Sequence, residues 1–354
     1  MNRNIALKIG DLTARIPVIQ GGMGVGVSLS SLAGSVALNG GVGVISSAQI
    51  GFKDPMWDVS PVETNLRVLQ EEICKAKEIA KGCGIIAVNI MVATRFYEKY
   101  VKAAVEAGAD MIISGAGLPV ELPEFVKNTK TKIAPIVSSL KSFDVISKYW
   151  KKKYDRLPDM VVIEGPMAGG HLGFKPEELS DVGAMNFDEE MKKIIGRVRE
   201  TEEGGRIPVV AAGGIYEGKD AIPYLEMGAD AVQVATRFVT TYECDADIRY
   251  KEAYIQAKKE DIIIVKSPVG MPGRAIKNLF LEKVAKAEVV KDKCHQCLAK
   301  CNPMEIPYCI TDALINAVKG MTQDGLLFCG ANAYKATTLE YVADIMKEFE
   351  EELS

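Results

Sequence analysis

Short apolar runs alternate with longer amphipathic stretches along most of the chain. The runs are rich in Val and Ile and end at small or polar residues, whereas the stretches between them are rich in Glu, Lys and Ala. This alternation is typical of repeated strand–helix units around a parallel sheet. We predict strands at residues 17–20, 43–46, 85–90, 110–114, 133–138, 160–164, 208–212 and 231–235.

Eight such strands predict one particular α/β fold, the closed (β/α)8 TIM barrel. Each strand of such a barrel is covered by the packed interior on one side and by helices on the other, so it reads as nearly continuous apolar sequence. An open doubly wound sheet is the competing architecture. Residues 105–110 and 225–230 both end a helix at Gly and restart a strand, which fits two half-barrels or a common α-to-β turn equally well.

The barrel is expected to span residues 1–266, and residues 267–354 to form a C-terminal extension that packs on it without being an independent domain. Within this extension we expect a basic amphipathic helix at 274–287, a cysteine-containing segment and two further helices. The long connection at 51–61 is expected to be either a lid over a cofactor or an inert surface loop.

Composition narrows the choice of partners. Charged residues make up 25% of the chain and the net charge is −4, so no polyanion-binding surface is indicated. No apolar run approaches the roughly 18 residues of a membrane span, and residues 1–9 lack the apolar core of a secretory signal. We expect a cytoplasmic protein that acts on a small molecule and binds neither nucleic acid nor membrane. A homodimer is compatible with the sequence, which does not fix the oligomeric state.

Glycines gather where several predicted strands end. A residue without Cβ lets a flat ring or a phosphate approach the backbone, and barrels commonly bind phosphate after strands seven and eight. No P-loop or complete G-x-G-x-x-G motif is present, so a nicotinamide cofactor would have to bind as a diffusible co-substrate, and FMN fits the pattern better. The residues at these corners are Gly21, Gly22, Met23 and Gly24, then Gly169, Gly170 and Gly173, then Gly213 and Gly214, and finally Ala235, Thr236 and Arg237.

His171 is the main candidate for proton transfer near neutral pH, because the chain has only two histidines and this one follows the sixth strand on a glycine-rich loop. Glu164 ends that strand and is expected to orient the loop or to bind the flavin. Asn89 and Gln233 are polar residues at the ends of apolar strands, and they are candidate hydrogen-bonding partners for the ring or its ribityl chain.

Four cysteines lie within sixteen residues of the extension, at Cys294, Cys297, Cys301 and Cys309. Thiolates at such spacings could ligate zinc or an iron–sulfur cluster, with His295 as an additional nitrogen ligand. The spacing is not that of a regular finger or ferredoxin, so free or redox-active thiols are the alternative. The remaining cysteines, Cys74, Cys83, Cys244 and Cys329, are expected to be small core residues.

These motifs together resemble the nitronate monooxygenase family, formerly the 2-nitropropane dioxygenases, and its close relatives, the flavin-dependent enoyl-acyl-carrier-protein reductases. The resemblance extends to about residue 280, and the Ala-Gly-Gly-His element at 168–171 is its most specific part. The segments that carry it are PVIQGGM (17–23), VNIM (88–91), SGAG (114–117), EGPMAGGHLG (164–173), AAGGI (211–215) and AVQVATRF (231–238).

The resemblance implies a site residue by residue. It places His171 over the reactive face of FMN, Asn89 and Gln233 against the cofactor, and Ala235 where relatives usually have Gly. The residues that it assigns to lining the flavin are Gly22, Met23 and Gly24, and those that it assigns to the ribityl phosphate region are Gly170, Gly213, Gly214, Ala235 and Thr236.

Two activities follow from the resemblance. The leading expectation is oxidation of an alkyl nitronate with O₂ to a carbonyl compound and nitrite. The alternative is an enoyl reductase of fatty acid synthesis that uses NAD(P)H. QGGM at 20–23, SGAG at 114–117 and RAIKN at 274–278 are closer to the reductases. Other classes left open are a barrel isomerase or lyase with a phosphorylated substrate, and a non-enzymatic flavin or metal sensor.

Overall fold

The computed structural model describes residues 5–203, 205–291 and 293–354, so residues 1–4 of the N-terminal segment considered above lie outside it. The strands are β1 (Leu7–Ile9), β2 (Leu12–Ala14), β3 (Val18–Gln20), β4 (Val42–Ser46), β5 (Ile85–Met91), β6 (Met111–Gly115), β7 (Lys132–Val137), β8 (Val161–Glu164), β9 (Gly170–His171), β10 (Val209–Ala212), β11 (Ala231–Val234), β12 (Ile262–Lys266) and β13 (Pro272–Ile276). The α-helices are α1 (Ser30–Leu38), α2 (Pro61–Ala80), α3 (Tyr97–Glu106), α4 (Leu122–Phe125), α5 (Leu140–Tyr154), α6 (Pro176–Leu179), α7 (Phe187–Thr201), α8 (Gly218–Glu226), α9 (Thr236–Val239), α10 (Ile248–Gln256), α11 (Leu279–Ala285), α12 (Ile310–Val318) and α13 (Val342–Leu353).

Strands β3 to β8, together with β10 and β11, form a closed barrel. All neighbouring pairs are parallel, and the ring closes where β11 pairs with β3, with Val232 opposite Val18. Each predicted strand agrees with an observed one to within one residue at either end. The predicted TIM barrel is therefore confirmed, and the open doubly wound sheet is excluded.

The amino end of the barrel is filled with apolar side chains. Leu7 and Ile9 of the β1–β2 hairpin belong to the same buried cluster as Val42, Ile85 and Met111, which open three of the barrel strands. Burying a side chain of this size contributes about 1.5–3 kcal/mol. Because the hairpin closes this end, space for a ligand remains at the carboxyl ends of the strands.

The two Gly-Ala-Asp turns adopt the same conformation. Gly108 and Gly228 have φ of +77° and +107°, which a residue with a Cβ rarely adopts. The carboxylates of Asp110 and Asp230 then accept a backbone N–H of a neighbouring strand at 2.9 and 2.8 Å. Asp159 makes an equivalent bond at 2.8 Å without a preceding Gly-Ala. This third example favours an ordinary α-to-β turn over a repeat of two half-barrels.

The C-terminal extension is attached to the barrel at several places. Helix α13 packs against α1 and α8. The buried guanidinium of Arg237, at the start of α9, donates to Glu340 at 2.7 Å and to Glu348 at 2.6 Å, both in the extension. Removing one partner from such a network leaves a poorly solvated charge, which makes this attachment costly to break.

The prediction of a basic helix at 274–287 is wrong for its first residues. Residues 272–276 form strand β13, which pairs antiparallel with β12 and with β9. Arg274 is buried there and donates a hydrogen bond to the carbonyl of Ala168. The helix begins only at Leu279, after Asn278, whose side chain accepts the N–H of Leu281 at 3.1 Å.

None of the helices in the described ranges is both long and apolar enough to cross a bilayer.

Replacing Gly43 with Ala tests the close packing of β4 against α1. The added Cβ would lie 1.8 Å from the carbonyl oxygen of Ala33, so the backbone would have to move. We expect a loss of about 3 kcal/mol or more in the free energy of unfolding, measured in urea. The matched control is Gly196→Ala in α7, where a Cβ meets nothing within 4 Å. It should stabilise the protein by about 0.5–1 kcal/mol. If Gly43→Ala and Gly196→Ala changed the free energy of unfolding equally, the close packing of β4 against α1 would be contradicted.

Candidate active site

A cavity of about 390 Å³ opens at the carboxyl ends of the barrel strands. The loops after β3, β8 and β10 contribute glycines to its wall, the loop after β11 contributes Ala235 and Thr236, and β5, β8 and β11 contribute polar side chains. All residues that the sequence predicted to contact a cofactor line this one cavity, together with His171. They are Gly22, Met23, Gly24, Asn89, Glu164, Gly169, Gly170, Gly213, Gly214, Gln233, Ala235 and Thr236.

Two corners of the cavity present free backbone amides. Gly213 and Gly214 follow β10 with φ of +102° and +82°, and Ala235 and Thr236 follow β11. Within the described residues, none of these four amides donates to a protein acceptor. A Cβ on Gly213 would lie 2.9 Å from the backbone nitrogen of Ala168, so a side chain there would collide with the wall. Convergent free N–H groups of this kind bind anions.

The extension holds these corners in place. The side-chain amide of Asn332 donates to the carbonyl of Gly214 at 2.6 Å, and the N–H of Gly330 donates to the Thr236 hydroxyl at 2.8 Å. Asn332 and Gly330 were not among the predicted residues, because no local pattern connects them with corners about a hundred residues earlier. Only the fold brings them together.

Polar side chains without protein partners lie in the same cavity. The side chains of Glu164 and Gln233 have no hydrogen-bond partner among the residues that the structure describes, and Asn89 makes only a long contact of 3.4 Å to the carbonyl of Ile113. Burial raises the pKa of Glu164 to about 7. Because buried polar groups in proteins are normally paired, these three groups indicate a polar ligand.

His171 is positioned by residues of the extension. Its short strand β9 pairs with β13, where His171 lies opposite Gly273. The ring Nε2 is 2.7 Å from the hydroxyl of Ser267, and the ring packs edge-on against Phe328 at 4.9 Å between centroids. Burial lowers the pKa of His171 to about 4, so the imidazole is neutral at pH 7. A neutral imidazole can accept a proton or donate a hydrogen bond.

The extension also closes the cavity on one side. The connection at 51–61 contributes no residue to the cavity wall, so it does not act as the lid that was one of its two predicted roles. Apolar side chains of the extension provide that side of the wall. They are Val269, Met271, Leu298, Ile310, Leu314 and Phe328, joined by the thiols of Cys297 and Cys329.

The predicted core cysteines divide into two pairs. Cys244 and Cys329 are buried, as expected, whereas Cys74 and Cys83 are exposed, so the prediction is wrong for these two. Cys74 lies on α2 and Cys83 in the turn that follows it. Although cysteine is weakly apolar, these two side chains are not buried, because the surface of a helix or turn tolerates a small side chain.

The cysteine segment places its thiols at different depths. Cys294 is exposed, Cys297 reaches the cavity wall, and Cys301 and Cys309 are partly buried. Among the described residues, the potential metal ligands whose donor atoms all lie within 4.8 Å of one another are His295, Cys309 and Asp312. Asp312 was not predicted, because it lies on α12 outside the run of cysteines.

Comparisons with known proteins agree with this geometry. Residues 6–352 match the family model for nitronate monooxygenase. A probable nitronate monooxygenase of Staphylococcus saprophyticus is 27% identical over 300 residues, which cover 78% of this chain and 79% of that protein. Among solved structures, FabK from Thermotoga maritima has a TM-score of 0.72 at 24% identity, covering 96% and 93% of the two chains. Nitroalkane oxidase from Streptomyces ansochromogenes has a TM-score of 0.72 at 20% identity, covering 96% of each chain.

The barrel, its cavity and the family match define an enzyme, a flavin-dependent oxidoreductase built on a TIM barrel. The chain belongs to the nitronate monooxygenase family, because the family model matches nearly its whole length.

Replacing Glu164 with Gln tests the environment of the carboxyl group in the flavin-free protein. The folded-state pKa of about 7 exceeds the usual value, so the folded state holds this proton more tightly than the unfolded state does. Stability due to this group is therefore present at low pH and is lost as the pH rises from about 4.3 to 7. In urea unfolding, the free energy of unfolding of the variant relative to that of the wild type should rise by about 2–3 kcal/mol from pH 4 to pH 8.

The exposed Glu226→Gln on α8 is the matched control and should leave this pH dependence unchanged. An equal difference in unfolding free energy between Glu164→Gln and the wild type at pH 4 and at pH 8 would show that the carboxyl group is not desolvated as described.

Proposed function

We propose that this protein is a nitronate monooxygenase that binds FMN in the cavity and oxidises alkyl nitronates with O₂. The observation that carries the proposal is the set of free amides at Gly213, Gly214, Ala235 and Thr236 in a cavity that also contains His171. Membership of the family supports the activity.

The residues of the cavity fit FMN. Its phosphate is an anion, and the four free amides are the kind of donors that bind one without a cationic side chain. Glu164, Gln233 and Asn89 offer a carboxyl group and two amides for the polar edge of the ring. Gly22 lets the loop after β3 pass close to Asn89, since a Cβ there would lie 2.5 Å from that of Asn89. Ala235 adds one methyl group at the phosphate corner.

When bound, FMN would supply the electron transfer by which a nitronate and O₂ yield a carbonyl compound and nitrite. The chain's own residues bind and orient the substrate. The imidazole of His171 can orient a nitronate by hydrogen bonding or take the α-proton of a neutral nitroalkane. Ser267 fixes the ring through Nε2, which leaves Nδ1 as the other nitrogen available for this contact. The apolar wall of the extension limits access of water to the reacting atoms.

Enoyl reduction with NAD(P)H as a diffusible co-substrate is the second candidate. The apolar side chains of Val269, Met271, Leu298 and Leu314 favour it, because they form a wall on which the acyl chain of an enoyl thioester could pack. In that reaction His171 would polarise the thioester carbonyl or protonate the α-carbon.

Replacing His171 with Ala tests its role in the reaction. We expect kcat/KM for a nitroalkane or nitronate to fall by about 10²- to 10⁴-fold, because the positioned imidazole is lost. Flavin content, measured from the absorption spectrum after denaturation, should stay near that of the wild type. His171→Gln should also be impaired with neutral nitroalkanes, since an amide cannot accept the proton. Unchanged turnover in a flavin-loaded variant would exclude His171 from the reaction.

Anaerobic mixing separates the two candidate activities. The oxidised protein should lose its flavin absorbance rapidly with an alkyl nitronate and slowly with NADH or NADPH. Admission of O₂ to the nitronate mixture should then restore the absorbance and release nitrite. Rapid bleaching by NAD(P)H, followed by reoxidation on addition of an enoyl thioester, would replace nitronate oxidation with enoyl reduction. A protein purified without flavin absorbance would contradict both.

A further inference from the structure

The cysteine segment between α11 and α12 has little regular structure of its own. Its described residues, 286–291 and 293–309, form neither helix nor strand, apart from a single bridge between Leu298 and Thr94. Val290 and Met304 are exposed to 79% and 88%. A segment of this length that buries few apolar side chains gains little from the hydrophobic effect, and short irregular segments are commonly stabilised by a metal or a disulfide.

This segment nevertheless has a defined position on the cavity. The N–H of Arg95 donates to the carbonyl of Cys297 at 3.0 Å, and that of Ala299 donates to the carbonyl of Ala93 at 3.0 Å. These bonds tie the segment to the loop after β5. As a result, Cys297 and Leu298 form part of the cavity wall.

His295 is the best-fixed side chain of the segment. Its side chain is only 7% exposed, and Nε2 lies 2.6 Å from a carboxylate oxygen of Asp312. The imidazole ring stacks on Trp57 at 4.7 Å between centroids. Trp57 comes from the connection after β4, so the histidine is held between two separate parts of the fold. An imidazole fixed by packing and by a carboxylate is well prepared to act as a metal ligand.

Cys309 completes a group of three different donors. Its sulfur, the imidazole nitrogen of His295 and a carboxylate oxygen of Asp312 all lie within 4.8 Å of one another. Tetrahedral zinc with N, O and S ligands has donor–donor distances of roughly 3.3–3.8 Å, so small side-chain rotations suffice. On zinc binding, the 2.6 Å between His295 Nε2 and the Asp312 carboxylate would increase, and the longest of the three donor–donor distances would decrease.

One tetrahedral position remains beside these three donors. A water molecule or a further thiol of the segment could fill it, and a bound cation would offset the cost of ionising the Cys309 thiol.

We propose that His295, Cys309 and Asp312 bind one Zn²⁺ ion, which joins the cysteine segment to the start of α12 and fixes one side of the cavity wall. Mixed nitrogen, sulfur and oxygen donors select zinc or a similar borderline metal rather than calcium or magnesium. The set differs from the four thiols suggested by spacing, because it keeps only Cys309 of the four and adds His295 and Asp312.

Metal content of the flavin-loaded protein is the primary test. Wild-type protein purified without chelators should contain about one zinc per chain by plasma mass spectrometry. His295→Gln and Cys309→Ser should each lower this at least five-fold while flavin absorbance is retained. Cys83→Ser, at an exposed cysteine outside the segment, is the matched control and should keep its zinc. Absence of zinc or cobalt binding by the wild type would overturn the proposal.

Cobalt provides a spectroscopic test that does not depend on activity. Co²⁺ added to the chelator-treated protein should give a thiolate charge-transfer band that is lost in Cys309→Ser. It should be unaffected in a Cys294→Ser/Cys301→Ser double variant. If the band instead requires Cys294 and Cys301 but not His295, the four-thiol site replaces the proposed one.

Limited proteolysis tests the structural role. Trypsin cleavage after Lys291, Lys293 or Lys300 should accelerate at least ten-fold when the wild type is treated with a chelator, and zinc should reverse the effect. Cleavage unchanged by chelator in a protein that has lost its zinc would show that the ion does not hold the segment.

Discussion

Closure of the strand ring by the β11–β3 pair is the constraint on which the site depends. Parallel strands in a closed ring place all their carboxyl ends on one rim. Asn89, Glu164 and Gln233 are separated by about seventy residues in sequence, yet each lies at or near the carboxyl end of a strand and therefore lines the same cavity. The β1–β2 hairpin fills the opposite end of the barrel, so that polar chemistry is confined to the rim.

Desolvation then acts on the two titratable groups of the cavity in opposite directions. It lowers the pKa of His171 and raises that of Glu164, because burial disfavours the charged form of either group. Both shifts reduce the charge that the protein's own side chains place in the cavity at neutral pH. The charge of the site is then set mainly by what it binds, which suits a cofactor with an anionic phosphate and a substrate that is itself an anion.

Local sequence patterns predicted the barrel and most of the rim well, because both depend on short-range rules. Apolar runs of strand length indicated the positions of the eight strands, and glycines marked the amide corner at Gly213 and Gly214. The same reasoning could not find Ser267, Phe328 or Asn332, whose roles arise from contacts with distant segments. Strand β13 was mistaken for helix because the run from Arg274 onward has helical spacing, and its pairing with β9 depends on tertiary structure.

Neither the spacing of the cysteines nor any local motif could reveal His295, Cys309 and Asp312 as a group. The aspartate belongs to a helix and the histidine is fixed by Trp57, more than two hundred residues earlier. Spacing alone favours sets of identical residues that are close in sequence. Mixed ligand sets become visible only when the fold is known.

The hydrogen bonds from Gly330 to Thr236 and from Asn332 to Gly214 span 94 and 118 residues. During translation the amide corners are therefore made long before the residues that brace them leave the ribosome. The barrel strands can pair while the corners are still unsupported, and the rim reaches its final shape only when the last part of the chain docks. A ligand that depends on these amides is therefore bound fully only after the bracing residues have been made and have docked.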